Sequence, residues 1–340
     1  ELQSDDRREA ENLGVREEGG RAEAGRTLLD QQETVAYAAP FLRLRYRPAS
    51  SLTLTGAVRL DAYRFEAEDR LLDDGDDSGL REMAKASPSI GAAWSPAPAI
   101  TLYGDLSTAF ETPTTSELSN RPAGGAGFHP GLDPQTVRSL EVGVRAAPSD
   151  PLRLEASLYD MDVERALVPR EGPDGQVFFR NAGEIARRGL ELRAVWRPLP
   201  RWRAVGAYAL QDYRFDRFRT PEGDFSGHDE PGVPEHRLDA DISGRLPGGL
   251  RTRVSAAWVD AFPVNDANTA HDVSRRVVDL RVGWEGAAGR WRLAPFVGVD
   301  NLLDERYNAS VVPNAFGGNY FEPAPGRRLF GGLEVGPPRP

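Results

Sequence analysis

The chain carries few side chains fit for bond-making chemistry. It contains no cysteine, which excludes thiol nucleophiles, disulfide frameworks and Cys-based zinc sites. Its four histidines are His129, His228, His236 and His271. Neutral imidazole readily ligates haem iron and other metals, yet their spacing fits no His-Glu-x-x-His pattern. No nucleophile stands at a recognisable distance from a base. What remains is recognition chemistry. Arg180, Arg217 and Arg219 lie in polar segments and suit an anionic group. Tyr307, Asn308, Asn314, Phe316, Asn319 and Tyr320, with Glu322 close behind, combine aromatic faces and amides in one stretch. That mixture holds a bulky ligand with both apolar and polar surface, and the same residues can instead order a turn-rich segment around Gly317-Gly318.

The remaining charge is patterned. Basic residues number 42, of which only Lys85 is lysine, against 52 acidic residues, for a net charge of −10. That balance argues against nucleic acid as a partner. Arg43, Arg45, Arg59, Arg153, Arg193, Arg203 and Arg281 alternate with apolar residues, as do Glu141, Glu155, Glu191 and Asp279. Such groups pair across strands or form an electropositive funnel.

The elements that position these groups are strands. Every second residue is apolar in Leu140-Val142-Val144-Ala146, Leu152-Leu154-Ala156-Leu158, Leu190-Leu192-Ala194-Trp196 and Val278-Leu280-Val282-Trp284, which predicts strands with one apolar and one polar face. No run of 18 apolar residues is present, so no spanning helix is expected. A transmembrane barrel hides its apolar surface by this alternation. The pattern predicts about 13 strands, at 34–47, 51–66, 85–95, 99–111, 135–147, 151–164, 186–197, 201–215, 234–246, 249–262, 275–285, 290–304 and 325–336. Short turns at 48–50, 96–98, 148–150, 198–200, 247–248 and 286–289 alternate with long polar loops at 67–84, 112–134, 165–185, 216–233, 263–274 and 305–324. Outer-membrane barrels sort their loops in this way, with the short turns periplasmic. Trp94, Trp196, Trp202, Trp284, Trp291 and Tyr46 lie beside short turns, and Trp258 toward the other end, as an interfacial aromatic girdle requires. An odd strand count does not close antiparallel, so residues 1–33 read as an extracellular loop cut mid-way, 34–336 as the C-terminal part of a larger barrel, and 337–340 as a tail.

Short motifs fall at matching points of this pattern. They are Phe110-Glu111-Thr112-Pro113-Thr114 leading to Glu117-Leu118, Leu132-Asp133-Pro134 before Glu141-Val142-Gly143, and Asn181-Ala182-Gly183 before Gly189-Leu190-Glu191. Val233-Pro234 with Arg237, Asp300-Asn301-Leu302-Leu303-Asp304-Glu305-Arg306-Tyr307 and Pro325-Gly326-Arg327 complete the series. In this order the series resembles the C-terminal barrel of TonB-dependent outer-membrane receptors, siderophore and ferric-citrate type. The resemblance implies an all-β, antiparallel transmembrane barrel of roughly 22 strands, with the plug domain absent from this stretch. It further implies uptake of a ferric siderophore or similar iron chelate across the outer membrane of a Gram-negative bacterium. Energy would come from the TonB-ExbB-ExbD complex through the missing N-terminal region, and outer-membrane lipids would surround the wall. No enzyme activity and no cofactor are expected, the ferric chelate being the transported ligand. The residues expected at that ligand are His129, Arg180, Arg217, Arg219, Tyr307, Asn314, Phe316 and Tyr320. Alternatives are a passive, porin-like barrel and a haem receptor, since His129 precedes Pro130-Gly131-Leu132 in the loop that haem receptors of the family use, although Phe110-Glu111-Thr112-Pro113 stands in place of their Phe-Arg-Ala-Pro. Two further departures are Gln135, where the family usually has Glu, and the non-aromatic ending Gly336-Pro337-Pro338-Arg339-Pro340.

Overall fold

The computed structural model describes residues 2–12, 24–73, 75–122, 126–172, 176–181, 183–220 and 223–337. Alternating β-branched, aromatic and aliphatic residues give long strands, and Pro, Gly, Asn and Asp interrupt them. The chain runs through β1 (Leu2–Asn12), β2 (Ala24–Ala38), β3 (Phe41–Ala49), β4 (Leu52–Asp69), β5 (Gly79–Ala97) and β6 (Ile100–Glu111). The short helix α1 (Thr115–Ser119) precedes β7 (Gln135–Ser149) and β8 (Leu152–Glu164). A loop hairpin of β9 (Leu167–Glu171) and β10 (Val177–Asn181) leads into β11 (Glu184–Trp196) and β12 (Trp202–Arg217). The two-residue β13 (Arg219–Thr220) and β14 (Gly223–Asp224) precede β15 (His236–Arg245) and β16 (Leu250–Val259). After β17 (Phe262–Pro263) and β18 (His271–Asp272) come β19 (Arg275–Trp284), β20 (Gly286–Ala288) and β21 (Trp291–Asp300). A last loop hairpin, β22 (Asn308–Val311) with β23 (Phe321–Pro323), leads to β24 (Arg328–Gly336).

The long strands form one antiparallel sheet of 16 strands, ordered β1-β2-β4-β5-β6-β7-β8-β11-β12-β15-β16-β19-β21-β20, with β24 on β21 and β3 on β4. Since β3 continues β2 along β4, and β20 continues β19 along β21, the wall makes fourteen passes among the described residues. Thirteen coincide with the strands expected from alternation. The fourteenth, β1, lies within the stretch 1–33 expected as a loop and is one arm of a hairpin: Leu2–Asn12 pairs with Ala24–Ala36, from Leu2↔Ala36 to Asn12↔Ala24. The sequence Leu2-Gln3-Ser4-Asp5-Asp6-Arg7-Arg8-Glu9 shows no alternation because this hairpin stands at the long-loop end. There β2 meets only the last part of β4, from Ala38↔Ala62 to Gln31↔Asp69. The hairpin's β1 arm meets no lipid and is polar on both faces, and the buried face of the β2 arm is itself largely polar, with Gln31 and Glu33 beside Leu29. Residues 13–23 and 338–340, the latter most of the expected tail, lie outside the described residues.

Register assigns the two faces. Leu140, Val142, Leu154, Leu158, Leu192, Ile242, Leu329 and Leu333 are exposed on one face, the lipid face of a barrel wall. Tyr46, Trp94, Trp196, Trp284 and Trp291 are likewise exposed near the short turns. Toward the long-loop end the same face carries a stacked trio, with His236 between Tyr208 and Trp258 at ring separations of 6.1 Å and its Nδ1 2.9 Å from the Tyr208 hydroxyl. The opposite face holds Arg145, Glu141, Glu155, Arg193 and Glu191. Glycines make room on it: a Cβ on Gly143 would collide with the Tyr103 ring, and one on Gly189 with Tyr159, whose hydroxyl lies 2.9 Å from that of Tyr213. No described helix is long and apolar enough to cross a membrane.

Candidate ligand-binding site

The loops at the long-loop end fold onto three small apolar clusters and are tied to one another. The first cluster joins Phe65, Ala67 and Met83 of the wall to Leu118, Phe128 and Leu132 of the segment after β6. Thr114 and Glu117 close a capping box on α1, with the Glu117 amide donating to Thr114 Oγ1 at 3.3 Å and the Thr114 amide to Glu117 Oε2 at 2.8 Å, which places Leu118 in the cluster. Buried Gln31 and Glu33 of β2 clasp this segment, Gln31 Oε1 accepting from the Gly127 amide at 2.8 Å and Glu33 from Ser119 Oγ at 2.6 Å. His129 sits beside it. Its Nδ1 accepts from the Gly131 amide at 3.0 Å and its own amide donates to Leu118 O at 2.6 Å. Burial pulls the imidazole below its ordinary pKa, and the Arg121 and Arg81 charges act in the same direction.

The second cluster contains Val163, Ala166, Val168, Ile185, Phe215 and Phe218. Arg180 lays its guanidinium over the Phe218 ring, 5.4 Å from the centroid, a cation–π contact. Arg217 and Arg219 flank Phe218 and stay exposed, Arg217 on Glu184 and Arg219 on Asp224 with Nε–Oδ2 at 2.8 Å. Hydrogen bonds from Ser226, and then Arg219, hold the Asp224 carboxyl down at about 2.

The third cluster, Val259, Phe262 and Val264, is covered by Val311 and Tyr320. Asn314 is buried against Asp266: its Oδ1 accepts from the Asp266 amide and its Nδ2 donates to Asp266 Oδ1, each at 2.9 Å. Tyr320 adds an Asn265 Nδ2 contact at 3.4 Å. Tyr307 receives the Arg275 guanidinium 5.8 Å above its ring. Phe316 is half exposed.

The eight expected residues are thus distributed over the three clusters, Tyr307, Asn314, Phe316 and Tyr320 sharing one loop hairpin. The residue that joins the loops is one the sequence reading passed over. Asp266, 2% exposed, accepts from Arg170 Nη2 of β9 at 3.3 Å and from Asn314. Its carbonyl lies 2.8 Å from His228 Nδ1. Next to it, Asn268 and Asp229 exchange bonds at 2.8 and 2.9 Å. Asn265-Asp266-Ala267-Asn268 reads in sequence as a polar turn, and nothing local marks its partners. Arg187 was passed over as well; it grips Glu230 through two bonds of 2.9 and 2.6 Å. Among the described residues no group of three or more His, Asp or Glu is placed to hold a metal ion.

The family motifs are braces in this crown. Asn181 accepts from the Asp133 amide at 2.7 Å and donates to the carbonyls of Asp133 and Arg165 at 2.8 and 2.7 Å. Asn301 closes its turn on Glu305 in both directions at 2.8 Å, and Asp304 accepts from the Arg327 amide at 2.9 Å. Gln135 donates to Glu111 and accepts from the Leu167 amide at 3.0 Å, which a Glu at that position, acceptor only, would not do.

Residues 10–302 match the family described as TonB dependent receptor-like, beta-barrel. The chain belongs to that family. It is a family of receptors and transporters, not of enzymes. Among known proteins this receptor barrel is 27% identical over 214 residues to the ferrioxamine B receptor of Salmonella typhimurium, covering 61% of the present chain and 28% of the relative. It is 28% identical over 191 residues to the ferrichrome outer membrane transporter/phage receptor of Escherichia coli, covering 54% and 24%. The chain therefore spans about a quarter of the length of these curated relatives. Its fold is that of the siderophore receptor PiuA from Acinetobacter baumannii, with a TM-score of 0.74 at 17% identity over 93% of this chain and 44% of that one. The copper transporter OprC gives a TM-score of 0.72 at 19% identity, covering 98% and 52%.

Proposed function

We propose that this receptor barrel forms part of the wall of an outer-membrane transporter that takes up a ferric siderophore or a similar iron chelate, powered from the inner membrane through the TonB-ExbB-ExbD complex. The long-loop end faces outward and the short turns face the periplasm. The observation that carries the reading is the crown: four loop segments, around Arg170, His228, Asp266 and Asn314, are locked to one another at one end of a lipid-facing wall. Such locking pre-orders a binding surface and lowers the entropy cost of capturing a ligand. Phe316, Tyr307 and Tyr320 supply apolar contact, Arg180, Arg217 and Arg219 supply charge, and His129 and Asn314 set loop positions beneath them. Ferrioxamine B and ferrichrome, the ligands named for the two relatives, are the first to test. Iron-starved cells carrying the full-length gene take up radioiron from one of these chelates, and removal of TonB abolishes it. Uptake that persists without TonB overturns energy-coupled transport, and absence of binding to both chelates overturns their assignment as ligands.

A further inference from the structure

The chain between β14 and β15 does not rise free of the sheet. The Gly227 amide donates to Phe215 O at 2.6 Å, the Phe215 amide to His228 O at 2.9 Å, and the Glu230 amide to Tyr213 O at 2.9 Å. Residues 227–230 thus extend the ladder along the upper end of β12. The ladder resumes where the Gln211 amide donates to Glu235 O at 2.8 Å. Between these points lies Pro231-Gly232-Val233-Pro234, whose two prolines have no N–H to offer a neighbouring strand. Gly232, at φ +85°, turns this excursion toward the third loop cluster, and its amide donates to Pro263 O at 2.8 Å. One short segment therefore touches the wall on one side and, through His228, Asp229 and Gly232, the Asp266 loop on the other.

A side chain from a strand that this segment does not pair with pins it in place. Arg187 of β11 stands opposite Tyr213 of β12, in the same alternating set as Glu191 and Arg193 of the lumen face. Its guanidinium passes over the Tyr213 ring, 5.5 Å from the centroid. It ends on the Glu230 carboxylate, with Nε–Oε2 at 2.9 Å and Nη2–Oε1 at 2.6 Å. Both oxygens are engaged, the forked geometry that makes such a pair directional as well as strong. The two side chains are only 30% and 16% exposed, so solvent screens them less than it screens exposed pairs of the crown such as Arg217 with Glu184. The Tyr213 ring is itself braced, since Tyr159 leans across Gly189, where a Cβ would collide with it, to bring the two hydroxyls within 2.9 Å.

We propose that Arg187 is a positioning residue of the ligand site: by gripping Glu230 across Tyr213 it fixes segment 227–235 on the wall, and with it the loops that Asp266 joins. This rests on the reading of the crown as the ligand-binding surface. Arg187 acts through Glu230 and not on the ligand. It keeps the crown pre-ordered, and its loss is felt as faster escape of a captured chelate. Removing one partner leaves the other charge unpaired and largely buried, so either single substitution disturbs the segment as much as the double one does. Direct attraction of the ligand by Arg187 would not depend on Glu230.

The test uses the full-length receptor in detergent: wild type, R187Q, E230Q, the double variant R187Q/E230Q, and R187K. Hydrogen exchange at the Gly227, Glu230 and Gly232 amides is followed without ligand, and dissociation of ferrioxamine B and of ferrichrome is timed. Each single Gln variant is expected to exchange about tenfold faster or more at these amides and to release the bound chelate faster by a similar factor. The double variant is no worse than the singles, and R187K, which keeps the charge and loses the fork, falls between them and wild type. Exchange at the wild-type rate in R187Q and E230Q overturns the proposal, whatever the chelate does. Additive losses in the double variant overturn it too, because they show the two residues acting independently. Binding of neither chelate by the wild type overturns their assignment as ligands, and the exchange rates still decide on Arg187. Should the Arg187 variants fail to fold, Glu230→Gln, which alters only a loop carboxylate, is read by the same measurements.

Discussion

At the scale of single residues, the loop crown depends on side chains with several partners each. Asp266 holds Arg170, Asn314 and, through its carbonyl, His228. Asp266→Ala removes the carboxylate to which Arg170 and Asn314 both donate, at a cost of about 1–3 kcal/mol to loop closure. The expected outcome is faster trypsin cleavage at Arg165 and Arg170 in the folded receptor, with a milder effect for Asp266→Asn; cleavage at the wild-type rate contradicts the hub. His129 gives a pH signature. Its pKa is lowered by burial, so the unfolded loop binds more protons than the folded one as pH falls. Its contribution is therefore intact above the ordinary imidazole pKa and declines as pH drops through and below that value. Hydrogen exchange at 126–134, corrected for the intrinsic pH effect, accelerates between pH 8 and pH 5, and His129→Gln removes that excess.

At the scale of elements, the wall sorts its residues by a period of two, and each strand tests this. Leu192 is exposed on the lipid face while its neighbours Glu191 and Arg193 point to the lumen, where Ser157 opposes Glu191. Leu192→Arg places a charge in hydrocarbon and costs about 2–4 kcal/mol near the midplane. Ser157→Arg places the same charge beside Glu191 and costs far less. Urea titration of the receptor folded in lipid bilayers separates the two, and equal losses contradict the face assignment. The alternation that makes this testable is legible in the sequence, and thirteen passes follow from it. The β1–β2 hairpin was not legible, because above the lipid both of its faces are polar and period two carries no information there.

At the scale of the whole molecule, the fourteen passes run antiparallel with β1 and β24 at the margins of the described sheet. In lipid each unpaired backbone group costs several kcal/mol, so the outer edge of β24 is paired in the membrane-embedded receptor. Hydrogen exchange on the full-length protein in bilayers accordingly finds every amide of Leu329–Val335 protected. Protection confined to alternate amides, those bonded to β21, contradicts a closed wall.

By itself the sequence determined the all-β architecture, the lipid and lumen faces, the sorting of short turns and long loops, and the family. Each is written in local spacing: alternation, Pro and Gly punctuation, girdle tryptophans, and motifs such as Asn181-Ala182-Gly183 and Asp300-Asn301-Leu302. Only the tertiary structure decided which loops touch. Asp266 and Arg170 are 96 residues apart in sequence, and Gln31 and Gly127 are separated by the same interval. No residue type or spacing announces such a pair, because a loop hydrogen bond is chosen by which strands stand side by side. The row of arginines at the short-turn end of β12, β16 and β19 has the same origin. Arg203, Arg253 and Arg281 read singly as alternating polar positions, and register alone brings them to one end of one face.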